Sequence, residues 1–162
     1  KNDTKNNNIP FVTHAPTNRY YKGSHDIIPI CRKLEQEGKI NFELIENKPH
    51  AEAMEMKRKS DIFIDQINDR GGWGYGMNSV ESLAMGVCTL TEMNEHYCRF
   101  IPDHPFVNVN RSNLYDTLLT LASNSEQWKE KGQEGAEWVK KYHDIASVGK
   151  SLYAYYAEMG LK

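Results

Sequence analysis

Apolar residues in this chain fall alternately into short continuous runs and into longer stretches spaced three and four apart. The run at residues 9–15 (IPFVTHA) predicts a first buried strand that stops at Pro16. A turn-rich loop follows, and Ile27, Ile28, Cys31 and Leu34 then recur at helical spacing over residues 25–37. Pro29 falls in the first turns of that helix, where a missing N–H is tolerated, and Gly38 ends it. Residues 41–46 (NFELIE) predict a second strand, residues 50–59 a second helix, and residues 61–65 (DIFID) a third strand. After a glycine-rich loop, Met77, Val80, Leu83 and Ala84 predict the apolar face of a third helix, stopped by Gly86. Residues 87–91 and 105–110 predict strands four and five, with a helical or irregular piece containing Tyr97 and Phe100 between them.

From Ser112 onward the pattern is helical only. Ser112 is expected to cap residues 114–122, Ser125 and Trp128 open a helix toward Tyr142, and residues 146–159 form a last helix. Strand alternates with helix for two-thirds of the chain and helices finish it. That order predicts an α/β domain, a doubly wound parallel sheet of Rossmann-like type with a helical C-terminus. A chain of 162 residues fits one such domain, expected over residues 9–162, behind a polar tract at residues 1–8 (KNDTKNNN) too poor in apolar residues to pack. The chain does not begin with Met, which raises the expectation that it is a piece of a longer one.

Composition narrows the function. A formal net charge of −2 gives no reason to expect nucleic acid or an acidic membrane as the main partner. Three cysteines, Cys31, Cys88 and Cys98, without C-x-x-C spacing suggest reduced thiols in a cytoplasmic protein. His96, Cys98 and His104 make a poor metal set by spacing, and no strained Ser/His/Asp elbow is present. No apolar run approaches 18 residues, so no transmembrane segment is expected.

The stretch with most chemistry runs from Asp61 to Thr91, where a strand delivers four glycines in six residues (Gly71, Gly72, Gly74, Gly76) to a helix carrying Glu81. Converging backbone N–H groups and the helix dipole suit a phosphate. The spacing is not that of a dinucleotide fingerprint, which follows the first strand directly. Arg19 and Lys22, near the start of the first helix, offer two cations for a diphosphate, one a planar fork and one a point charge. Glu81, in the first turns of its helix, can accept hydrogen bonds from a ribose diol. In an open α/β sheet these loops meet at the carboxyl ends of the strands.

Six segments in order carry a resemblance: His14-Ala15-Pro16-Thr17-Asn18, Lys22-Gly23-Ser24, residues 60–66 (SDIFIDQ), Gly74-Tyr75-Gly76, residues 80–86 (VESLAMG) and Tyr142-His143-Asp144. From about Phe11 to Tyr156 the chain resembles the C-terminal, nucleotide-sugar-binding domain of retaining glycosyltransferases built from two Rossmann-like domains. That group includes sucrose synthases and many bacterial polysaccharide enzymes. The resemblance implies transfer of a sugar from a UDP-, GDP- or ADP-sugar with retained anomeric configuration. It gives catalytic roles on the leaving diphosphate to Lys22 and Arg19, donor binding to Gly23, Gly74, Tyr75, Gly76 and Met77, and the ribose to Glu81. It implies no metal and no cofactor beyond the nucleotide-sugar substrate. It also implies an N-terminal acceptor domain outside this sequence, against which some of Tyr153, Tyr155 and Tyr156 pack, and a cytoplasmic enzyme, at most peripheral at a membrane. This chain departs from the family pattern at Trp73, where many members have a second glutamate, at Thr17, where an arginine is expected, and at Cys88, where a proline is usual. The alternatives are a catalytically degenerate nucleotide-binding or interaction module of the same fold and, more remotely, an NAD-type oxidoreductase.

Overall fold

The computed structural model describes residues 9–70 and 74–161, so Gly71, Gly72, Trp73 and the N-terminal tract lie outside the described residues. The elements are β1 (Phe11–His14), α1 (Ser24–Gln36), β2 (Asn41–Leu44), α2 (His50–Arg58), β3 (Ile62–Ile64), α3 (Met77–Ala84), β4 (Cys88–Thr91), α4 (Glu95–Phe100), β5 (Val107–Asn108), α5 (Leu114–Ser123), α6 (Ser125–Tyr142) and α7 (Ile145–Glu158). The five strands form one all-parallel sheet in the order β2-β1-β3-β4-β5, with Val12 opposite both Phe42 and Ile62, and Leu90 opposite Val107. The chain runs outward from β1 to β2 and then crosses back to β3. With right-handed crossovers, that reversal puts α1 and α2 on opposite faces and opens a crevice at the carboxyl ends of β1 and β3.

The two faces of the sheet differ in chemistry. Val12, Ile62, Ile64, Cys88 and Leu90 point with Phe42 into an aliphatic core closed by Ile27, Cys31 and Leu34 of α1 and Leu114, Leu118 and Leu121 of α5. The alternate residues, Thr13, Phe63, Thr89 and Thr91, are buried too. Here α3 presents Ser79, Ser82 and Leu83 as its buried residues, and Ser82 Oγ bonds Thr89 Oγ1 at 2.7 Å. The expected apolar face of α3 is corrected accordingly: Leu83 is buried, but Met77 is 73% exposed and Ala84 is exposed. Serines win because their small hydroxyls allow close packing and find partners on the sheet.

α6 packs against α3 and β4 through glycine. A Cβ on Gly132 would stand 2.0 Å from the Gly86 carbonyl oxygen, and one on Gly135 2.5 Å from a Leu83 methyl. A second core of Leu83, Met93, Phe106 and Trp138 lies beside this contact. Ser112 does not cap α5. Asn113 holds the N-cap position, and Asn110 and Asn113 use their side-chain oxygens on the turn before the helix. α7 has no buried residue, and Tyr153, Tyr155 and Tyr156 are exposed. No helix among the described residues is long and apolar enough to cross a membrane.

Candidate functional site

A cleft of about 670 Å3 opens at the carboxyl ends of β1 and β2. Ala15, Pro16, Thr17 and Arg19 line it from the loop after β1, Ile45 to Lys48 from the loop after β2, His50, Ala53 and Lys57 from α2, and Asn78 from α3.

The loop after β1 is shaped by Asn18, whose side-chain oxygen accepts from the Tyr20 and Tyr21 amides. Gly23 then starts α1 at φ 68°, and a Cβ there would lie 2.6 Å from the Ile67 carbonyl oxygen. No other residue fits that close approach in the left-handed region. The Ile67 amide in turn donates to the Lys22 carbonyl at 3.3 Å, so the loops after β1 and β3 are sewn together. Where they meet, Lys22 Nζ donates to Asp65 Oδ1 at 2.5 Å and to Gln66 Oε1 at 3.1 Å. Asp65 is 1% exposed and its second oxygen accepts from Ser79 Oγ at 2.5 Å. Lys22 is thus fixed on the segment that follows β3, through an aspartate that α3 also holds, rather than swinging in solvent.

Below it, His14 Nδ1–H donates to the Ile64 carbonyl and Nε2 accepts from the Ser24 hydroxyl, both at 2.8 Å. Burial pushes this imidazole down to about 4, so at neutral pH it is an uncharged spacer between β1, β3 and α1.

Arg19 faces the cleft from the other side. Its guanidinium is bidentate on Glu46, Nε to Oε1 at 2.7 Å and a terminal nitrogen to Oε2 at 2.5 Å. That hydrogen bond raises the Arg19 pKa and lowers that of Glu46. The two cations predicted to share one ligand are therefore each committed to a different carboxylate, and Arg19, not Lys22, lines the cleft.

Glu81 reaches back from α3 to Lys57 of α2, whose Nζ donates to Glu81 Oε2 and, at 3.1 Å, to Asn78 Oδ1. Asn78 Nδ2 donates to the Ala15 carbonyl at 3.1 Å, tying this network to the end of β1. Lys57 is 2% exposed and Glu81 21%.

Of the remaining predicted residues, Gly74 is buried at φ 63°, where a Cβ would meet Met93 Sδ at 2.6 Å, and its carbonyl accepts from Thr91 Oγ1. The Tyr75 ring turns away from the cleft into the second core, stacked on Phe106 at 5.0 Å with Trp138 and His143 beside it. Burial raises its pKa. Gly76 is the N-cap of α3 with open space where a Cβ would be, and Met77 begins the helix. Both α1 and α3 thus start at a glycine with no side-chain cap.

Sequence reasoning missed Lys57, Asn78 and Glu46. Lys57 was visible only as a lysine four residues after Ala53 on the inward side of α2, in a segment otherwise rich in charge. No group of three or more His, Cys, Asp or Glu among the described residues is arranged to hold a metal ion. Cys98 and His104 lie 3.6 Å apart without a third such partner, and the buried Cys88 thiol is pushed up to about 12. Comparisons with protein-family models and with curated proteins found no match for the chain.

Proposed function

We propose that this cleft holds a nucleoside diphosphate sugar, and that the domain is the donor-binding half of a retaining glycosyltransferase. The observation that carries the reading is the Glu81 carboxylate, held by Lys57, which itself donates to Asn78, where Lys57 and Asn78 line a cleft at the carboxyl ends of β1 and β2. A carboxylate in that place suits a ribose diol, and the cleft volume suits a nucleotide. The diphosphate would lie toward Lys22 and the start of α3, where the open side of Gly76 admits a phosphate to backbone amides. Stabilising charge on the departing diphosphate is then this domain's contribution to sugar transfer. The acceptor would come from a second domain, against which the exposed tyrosines of α7 are available to pack.

A second reading, a binding module without transfer activity, is favoured by one feature. Thr17 stands in the cleft where the family arginine is expected, and Arg19 is already engaged by Glu46. A thermal-shift panel of UDP, GDP, ADP and NAD tests the binding claim common to both readings. At 100 times its Kd a ligand stabilises by about 2.7 kcal/mol, a rise of roughly 5–11 °C in Tm for a domain of this size. Stabilisation by NAD and by none of the diphosphates would overturn both. Sugar transfer by the chain joined to its acceptor-binding half separates the two, because only the first reading expects it, and the donor-binding half by itself is expected to be inactive.

A further inference from the structure

Lys57 is the one fully buried residue of α2, and its ammonium is placed with unusual completeness. It donates to Glu81 Oε2 and to Asn78 Oδ1, and sits 5.7 Å from the centroid of the Phe63 ring. Asn78 cannot turn without losing its bond to the Ala15 carbonyl, so the acceptor offered to Lys57 is fixed as well. One chain of polar contacts therefore joins the end of β1, α2 and α3 across the wall of the cleft.

Such a pair adds little net stability, since desolvating two charges offsets most of their attraction. What it supplies is geometry. An unpaired glutamate on the surface of α3 would sample several rotamers, whereas Glu81 is pinned through one oxygen. Among the described residues its Oε1 has no hydrogen-bond partner, and the side chain keeps 21% exposure.

We infer that Lys57 is a positioning residue that aims the Glu81 carboxylate at a ribose diol, and so sets a preference in this cleft for ribonucleotides over their deoxy counterparts. The inference rests on the reading of the cleft as a nucleoside diphosphate site. Lys57 lines the cleft wall, but the hydrogen bonds of its ammonium go to Glu81 and Asn78. It acts through Glu81, so its removal weakens recognition of the sugar hydroxyls without weakening recognition of the diphosphate.

The test is calorimetric titration of the chain with whichever of UDP, GDP and ADP binds best, and with the 2′,3′-dideoxy form of that nucleotide. The wild type is expected to prefer the ribonucleotide about tenfold, the scale of one hydrogen bond to a charged group. Lys57→Met is expected to bring the ratio close to one while leaving the dideoxy affinity unchanged, and Glu81→Gln to do the same. Lys57→Arg, which keeps the charge and the donors, is expected to restore part of the preference. If Lys57→Met does not fold, Lys57→Gln is read against the same expectation, and failure of both to fold makes Lys57 a structural residue and overturns the inference. A preference lost in Glu81→Gln but kept in Lys57→Met overturns the inference alone, as does an equal fall in dideoxy affinity. A wild type that binds none of the three, or binds without preference, removes the reading of the cleft and the inference with it.

Discussion

Replacing Lys22 with alanine is expected to destabilise the fold as well as any ligand complex. Asp65 is 1% exposed and its two oxygens are taken by Lys22 Nζ and Ser79 Oγ. Removing the lysine leaves a carboxylate at the end of β3 with one neutral donor and no counter-charge. Breaking one side of a buried pair typically costs about 3–5 kcal/mol. Lys22 keeps 13% exposure, which admits some water in its place, so the lower end, about 3 kcal/mol, is expected. For a domain of this length that is roughly 6–12 °C in Tm. Urea unfolding of Lys22→Ala, Asp65→Asn and the double variant measures it, with an unchanged m-value showing that the unfolded state is the same. Asp65→Asn in the Lys22→Ala background is expected to restore part of the loss, giving a coupling of about 2 kcal/mol or more. A Lys22→Ala loss below about 1 kcal/mol with no coupling would refute the idea that Lys22 is fixed by a buried carboxylate. Affinity measured on Lys22 variants must accordingly be referred to the folded fraction.

Other expectations follow from single contacts. His14 carries its folded pKa at about 4 against 6.5 unfolded, so between those values the unfolded chain binds more protons and stability falls as pH falls. The loss begins near pH 6.5 and reaches about 3 kcal/mol by pH 4; His14→Gln is expected to remove this slope in chemical unfolding curves taken across that window. Gly132→Ala drives a Cβ to 2.0 Å from the Gly86 carbonyl oxygen and is expected to destabilise by about 3 kcal/mol. Gly149→Ala, on α7 with nothing within 4 Å of the new carbon, is expected instead to stabilise by about 0.5–1 kcal/mol, both read by thermal unfolding.

The parallel sheet and its helices were legible because their signals are local. Apolar runs marked each strand to within two residues at either end, and Gly38 and Gly86 marked the turns that follow α1 and α3. The buried face of α3 was not legible, because Ser79 and Ser82 are inside for the sake of Asp65 and Thr89, partners that hydropathy does not register. The same holds for the site. Lys22, Gly23 and Glu81 stand out by neighbourhood, whereas the pairs Lys22–Asp65, Arg19–Glu46 and Lys57–Glu81 join residues 43, 27 and 24 positions apart. Only the folded sheet brings those together. Tyr75 illustrates the converse: between two glycines it looks like a loop residue near a ligand, yet its ring is held by Phe106 and Trp138 from distant elements.

The central claim is that the cleft beside Glu81 binds a nucleoside diphosphate. Titration calorimetry of UDP, GDP and ADP into the wild type and Glu81→Gln tests it most directly. The account predicts saturable binding of at least one of the three, weakened about tenfold in a Glu81→Gln variant that melts like the wild type. No binding of any diphosphate, or equal affinity in the two proteins, would contradict it.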